Sequence, residues 1–150
     1  MTIEARLVNL RRPRTGDLPL AARLFAEPRC WVSLWRAVPP PRRTFPRRYA
    51  ITVAGRACGF VWLCPAGRAG ATGLAVWVSR PDRGRGIGTA AVAQACRPGF
   101  DGQHLQQIQA TALITQGDWQ RVLEKNGFTA PSPQTPGDGQ LTFTIRPHLR

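Results

Sequence analysis

Glycine occupies every second position of Gly84-Arg85-Gly86-Ile87-Gly88, directly after the apolar run Val76-Trp77-Val78. A helical repeat of Ile87, Ala91, Val92 and Ala95 begins in the same stretch. Glycines at these places remove the Cβ atoms that would keep a ligand off the backbone N–H groups. Those N–H groups open a helix, where donors lack intrahelical partners and the positive dipole end favours an anion. Arg83 and Arg85 add guanidinium groups suited to phosphate oxygens. The chemistry is that of a pyrophosphate cradle between a strand and a helix. A Walker A loop is excluded because the cradle has no lysine; Lys125 is the only one in the chain. A dinucleotide fingerprint fails at Thr89, where the last glycine belongs, and lacks the acidic residue that should follow about 20 positions on.

The spacing Arg83-x-x-Gly86-x-Gly88 resembles the [QR]-x-x-G-x-[GA] loop of the GNAT superfamily of acyltransferases. Arg121-Val122-Leu123-Glu124-Lys125-Asn126-Gly127-Phe128 is similar to the second motif of that superfamily. Two motifs in the expected order are more specific than either alone. The opening, Arg6-Leu7-Val8 through Asp17 and Leu24, resembles the RimJ/RimL-like branch, so the likeness runs from about residue 6 to 128. It implies a single-domain α/β GNAT fold over residues 1–150, with a mixed central β-sheet flanked by helices. It also implies acetyl-coenzyme A, or coenzyme A with another acyl group, as co-substrate, and no metal. The pantetheine arm would lie along the strand containing Val76, Trp77 and Val78, in the manner of an added strand. The pyrophosphate would sit on the amides of Gly84, Arg85, Gly86, Ile87, Gly88 and Thr89 beside Arg83. A backbone N–H near Trp77 and Val78 would stabilise the oxyanion as an amine attacks the thioester directly.

Such a reaction needs a base for the amine and an acid for the departing thiolate. The resemblance departs from its family here. Leu123 stands where many members carry a tyrosine, and Gln116 and Trp119 stand where the RimJ/RimL-like branch carries Asn and Ser. Gln116 can still hydrogen-bond the cofactor arm, but Trp119 supplies no hydroxyl. Ser79, at the end of the central strand, is the candidate contact to cofactor or acceptor. Glu27, after the first helix, is the candidate base, because first helices wall the acceptor site in this superfamily. His104 reads as a surface residue and Trp31, Trp35 and Trp62 as core aromatics.

A length of 150 residues, with 43% apolar and 19% charged residues, suits one globular domain. Cys30, Cys58, Cys64 and Cys96 lack C-x-x-C spacing, so they read as core thiols of a reducing compartment. No apolar run reaches membrane-helix length, and the first residues lack the layout of a signal peptide, so a cytoplasmic protein is expected.

The apolar patterning predicts a strand over 5–10 and a helix from Leu18, capped by Thr15 or Asp17, with Leu20, Leu24 and Phe25 as its apolar face. Pro28 ends that helix, and a short helix over 29–37 precedes a stiff Pro- and Arg-rich stretch, Val38 to Arg48. A hairpin of 49–53 and 57–64 turns at Ala54-Gly55-Arg56. Strands over 74–79 and 105–113 and helices over 87–97 and 119–126 follow, the last capped by Asp118. A loop over 130–139 leads to a closing strand, Leu141 to Ile145.

Charge narrows the partners. Basic residues number 21 against 8 acidic, a net charge of +13, which favours anions and repels polycations. Acyl-CoA accounts for part of the excess. The readings are an N-acyltransferase acting on a peptide or protein N-terminus or a small amine, one fed by an acidic acyl carrier protein, or a degenerate module binding nucleic acid through its basic face.

Overall fold

Period-2 alternation builds the sheet and a 3.6-residue repeat its cover. In the computed structural model, residues 6–27, 47–65, 71–97, 100, 107–113, 117–129 and 140–146 are described. Among them are six strands: β1 (Val8–Arg11), β2 (Arg47–Val53), β3 (Arg56–Pro65), β4 (Ala71–Val78), β5 (Gln107–Leu113) and β6 (Gln140–Ile145). Three helices accompany them: α1 (Leu18–Phe25), α2 (Ile87–Ala95) and α3 (Gly117–Lys125). One sheet runs in chain order, antiparallel throughout except between β4 and β5. A parallel pair needs a crossover, and α2 lies within it. The mixed α/β sheet flanked by helices is the architecture that the motifs imply.

The two faces of the sheet are covered differently. Ile51, Val61, Leu63 and Leu74 pack with Ile87, Ala91, Val92, Ala95 and Leu123, so α2 and α3 cover this face. On the other, Ala50, Phe60 and Trp77 pack with Leu24, Leu20 and Ala21 of α1. Phe60 stacks on Trp77 with ring centroids 6.1 Å apart. The pleat thus sends Trp77 toward α1 and its neighbours Val76 and Val78 toward α2.

Several boundaries differ from the sequence reading for identifiable reasons. β1 begins at Val8, and β2 already includes Arg47 and Arg48, because pairing with Leu63 and Trp62 extends it into the arginine-rich stretch. β4 starts at Ala71, where it meets both Pro65's strand and Gln107, shortening the expected loop. Helix α3 starts at Gly117, which puts Asp118 in its first turn rather than at its cap. Asp17 precedes α1 without capping it; its carboxylate goes to Arg11 and to the Arg14 amide instead. Phe25 is 56% exposed, so the apolar face of α1 consists of Leu20, Ala21 and Leu24. The expected helix over 29–37, Trp31, Trp35, Arg42 to Pro46, His104, Gln116 and the loop over 130–139 lie outside the described residues. No helix among the described residues is long and apolar enough to cross a membrane.

Opposite the end of β4, β3 carries a bulge. Ile51 pairs with Gly59 and Thr52 with Ala57, which leaves Cys58 as the extra residue. Gly59 then faces Val78 so closely that a Cβ would stand 2.2 Å from the Trp77 carbonyl oxygen and 3.1 Å from the Val78 Cα. Both are backbone atoms that cannot swing away. Gly59→Ala is therefore expected to cost about 2–4 kcal/mol, in the range of overpacked cores. A urea-unfolding midpoint unchanged from the wild type would show that β3 shifts freely here.

Candidate functional site

β4 is paired unequally on its two edges. It pairs with β3 from Thr72 to Val78, but with β5 only at Ala71, Thr72 and Gly73. Beyond Gly73 the two parallel strands part, and a wedge opens along β4. The Ser79 amide donates to Cys58 of β3 at 2.8 Å. Alternation therefore turns the amides and carbonyls of Val78 and Val76 to the opposite edge, into the wedge. The Trp77 carbonyl faces Gly59 and β3. A ligand rich in amides can continue the sheet here, as an added strand does.

The wedge ends in the glycine loop. Gly84 (φ +78°) and Gly86 (φ +81°) both adopt the left-handed conformation that L side chains disfavour. Gly86 is the N-cap of α2, and no side chain caps that helix. Its first backbone bond runs from the Ala90 amide to the Gly86 carbonyl at 3.1 Å. The amides of Ile87, Gly88 and Thr89 thus have no intrahelical acceptor, at the helix end whose positive dipole favours an anion. A Cβ on Gly88 would meet Val78 Cγ2 at 3.8 Å and Val122 Cγ2 at 3.9 Å, ordinary contacts, which explains why Gly or Ala satisfies this position of the motif.

Ser79 and Asp82 build the turn between the wedge and this loop. Both are buried, at 1% and 5% exposure. The Ser79 hydroxyl donates to Asp82 Oδ2, and the Asp82 amide donates back to the Ser79 carbonyl at 2.9 Å. Arg56 reaches Asp82 with two nitrogens, at 2.8 and 3.3 Å. With its hydroxyl committed to Asp82, Ser79 shapes the turn. Hydrogen bonds from Arg56, then from Ser79, hold the Asp82 carboxyl below the usual carboxylate range despite its burial. The Arg11 guanidinium does the same for Asp17. A lowered folded-state pKa gives stability that is complete above the unfolded value and is lost as pH falls through the folded one. Asp82→Asn is expected to cost about 1–2 kcal/mol at neutral pH and to flatten the acid limb below about pH 4. Urea unfolding across that range checks it; an acid limb superimposable on the wild type's would refute the assignment.

Arg83, expected beside the pyrophosphate, reaches back over the wedge. Its Nε donates to the Val78 carbonyl at 2.8 Å, and its Nη2 meets both oxygens of Glu27 at 2.8 and 3.0 Å. The structure therefore brings the candidate base, at the end of α1, to the end of β4. Arg85 is exposed on the loop. On the α1 side, the Trp77 indole is 3% exposed, and its Nε1 has no acceptor among the described residues. Leu123, where the family carries a tyrosine, is fully buried and packs in the core. Trp119 packs partly buried against that core.

The second motif holds the cradle helix. Asn126 Nδ2 donates to the Thr89 carbonyl at 3.2 Å and to the Val122 carbonyl at 2.9 Å, tying the end of α3 to the start of α2. Gly127 (φ +86°) ends α3, and the Phe128 amide closes on the Leu123 carbonyl at 3.0 Å. The thiols of Cys58 and Cys96 are pushed up by burial, to about 11 and about 12, so neither is a nucleophile at neutral pH.

Sequence reasoning missed Gly59, Asp82, Arg56 and the tether made by Asn126. Asp82 had a readable signal, because Ser79-x-x-Asp82 has the spacing of a capping turn. The other three act across the sheet or between helices, where spacing along the chain says nothing.

Comparison with known proteins agrees with this geometry. A search of curated proteins finds no match. Among solved structures, an acetyltransferase from Agrobacterium tumefaciens str. C58 aligns with a TM-score of 0.71 at 16% identity, over 97% of this chain and 94% of that one. The spermidine N-acetyltransferase of Vibrio cholerae, in complex with coenzyme A and spermine, aligns with a TM-score of 0.70 at 15% identity, over 94% and 96%. A Salmonella typhimurium acetyltransferase that modifies the N-terminal serine of ribosomal protein L7/L12 aligns at 0.67 and 13% identity, over 93% and 95%. At these identities the likeness shows the fold. The acetyltransferase (GNAT) domain family matches residues 7–129, which carry the wedge, the glycine cradle and the Asn126 tether. The chain therefore belongs to the GNAT acetyltransferase family, whose acyl donor is acetyl-coenzyme A.

Proposed function

We propose that this enzyme transfers an acetyl group from acetyl-CoA to a single primary amine, on a peptide or protein N-terminus or a small molecule, by direct attack. The observation that carries this reading is the open β4 edge leading into the uncapped start of α2. The backbone groups of Val76 and Val78 would hold the amides of the pantetheine arm, and the amides of Ile87, Gly88 and Thr89 its pyrophosphate. The bound donor supplies an acyl thioester. The amine nitrogen forms a bond to the acyl carbon, the proton lost by the amine goes to Glu27, and the carbon–sulfur bond breaks to release the coenzyme A thiolate, which takes a proton from solvent. No side-chain nucleophile is required, in keeping with a buried Leu123, a committed Ser79 and protonated thiols.

A single amine fits better than a polyamine. The carboxylates described near α1 are Asp17 and Glu27, and each is neutralised by an arginine, Arg11 and Arg83 respectively. The +13 net charge opposes a polycation as well. On the same side, the buried Trp77 Nε1, without an acceptor among the described residues, would donate to a carbonyl or hydroxyl of an acceptor that reaches it. Trp77→Phe keeps the ring stacked on Phe60 and removes only that donor. It is expected to raise the acceptor KM about tenfold, the worth of one hydrogen bond. An unchanged KM would place the acceptor elsewhere.

The experiment is a melting curve with and without saturating coenzyme A and acetyl-CoA, followed by a mass-spectrometric screen of peptides and small amines. Stabilisation by both ligands and a gain of one acetyl group on a monoamine are expected. No stabilisation by either would favour an acidic acyl carrier protein as donor or a nucleic-acid-binding module, and binding assays with each would separate those two.

A further inference from the structure

A second basic feature lies outside the donor site. Where the loop after β1, the first half of α1 and the start of β3 meet, they enclose an open basin of about 700 Å³. Arg11, Arg14, Arg23 and Arg56 line it, and its one carboxylate among the described residues is Asp17. Arg11 already grips Asp17 with two hydrogen bonds of 2.9 Å, and Arg56 grips Asp82. Arg14 and Arg23 are exposed and form no ion pair among the described residues, and Arg14 acts on Asp17 only through space, so the basin carries two guanidinium groups with open donors. The Arg11–Asp17 pair shows the geometry a carboxylate adopts on this surface.

The basin is not purely electrostatic. Pro19, Leu20 and Ala57 contribute apolar lining. Leu18, which falls between the lining residues Asp17 and Pro19, is 67% exposed. Apolar lining beside arginines that form no ion pair among the described residues presents apolar and cationic contacts together, as a protein-binding surface does. A groove for single-stranded nucleic acid would pair its arginines with aromatic side chains for base stacking. Among the described residues, no aromatic side chain lines this basin. A small anion would gain little in so open a site, because salt screens exposed charges. A chain with carboxylates spaced to reach both arginines, and an apolar residue between them, gains from every contact at once.

We propose that the basin is a docking surface for an acidic segment of a partner protein, one that alternates carboxylate and apolar side chains. The seat is adjacent to the catalytic cleft. The same helix α1 borders the basin with its first turns and carries Glu27 beyond its last. Arg56 links the basin to Asp82 in the turn before the glycine cradle. A protein held here has the wedge within one short helix length, about 12 Å for eight residues.

Binding can be read without any acyl transfer, so this inference stands or falls apart from the proposed activity. The test is fluorescence anisotropy with a labelled peptide alternating Glu and Leu, its counterpart with Gln for Glu, and a labelled single-stranded oligonucleotide. The proteins are the wild type, the Arg14→Gln/Arg23→Gln double variant, and Arg6→Gln/Arg97→Gln, which removes the same charge from exposed positions elsewhere. The Glu peptide should bind the wild type, lose about tenfold or more in affinity to Arg14→Gln/Arg23→Gln, and lose less than about threefold to the control. The Gln peptide should not bind. All three proteins should keep the same melting temperature and the same response to coenzyme A. Equal losses in both double variants would reduce the effect to overall charge and overturn the proposal. So would absence of Glu-peptide binding, or tighter oligonucleotide binding that depends on Arg14 and Arg23.

Discussion

Gly86→Glu is expected to abolish the rise in melting temperature that coenzyme A produces in the wild type. A ligand at 100 times its Kd adds about 2.7 kcal/mol, or about 5–10 °C for a chain of this length. Two effects combine to remove it. Gly86 sits at φ +81°, where a residue with a Cβ costs about 1–2 kcal/mol, so the helix start deforms. The new carboxylate also lies at the uncapped start of α2, where it can occupy the amides of Ile87, Gly88 and Thr89 itself and repel a pyrophosphate. Affinity should fall by about 100-fold or more. Gly88→Ala is the matched control, because its Cβ finds only ordinary contacts with Val78 and Val122. It should keep the shift. Retention of the shift in Gly86→Glu would mean that the cofactor phosphates bind elsewhere.

Glu27→Gln should lower kcat/KM by about 10²–10³-fold, within the range for a general base. Glutamine is isosteric, and its carbonyl can still accept from Arg83, so the position of α1 against β4 is kept. What disappears is the charge and the capacity to take a proton from the amine. The melting shift with coenzyme A should remain, and the loss should fall mainly on kcat. A loss of less than about threefold would reduce Glu27 to an anchor for Arg83. Arg83→Gln separates the two roles, because it removes the Arg83 pair while leaving the charge of Glu27.

The cradle was legible because every determinant is local. Positive φ at Gly84 and Gly86, free amides at the start of a helix and a preceding strand all follow from residue types within a dozen positions. The alternation of β2, β3 and β6, the buried stripe of α2 and the glycine stop of α3 were legible for the same reason. Glu27 could be named as a candidate from its place after the first helix. Its partner could not be named, because Arg83 is 56 residues away and meets it only when α1 folds against β4.

By itself, then, the sequence determined the anion cradle, the mixed sheet with its helical cover, and membership of an acyl-transferring family. These rest on short-range stereochemistry and on periodicity, which a single chain displays without folding. Tertiary structure alone decided three further things. It decided where β4 and β5 part, because one strand's pairing on its two edges depends on segments far apart in sequence. It turned Arg83 from the cradle toward Glu27, because α1 brings that carboxylate to the end of β4, and it committed the buried Ser79 to Asp82, because a polar group entering a low-dielectric interior must find a partner there. It also gathered arginines from β1, α1 and β3 into one basin, leaving Arg14 and Arg23 without an ion pair among the described residues. Charge composition announces an excess of arginine; only packing decides which arginines are already spent.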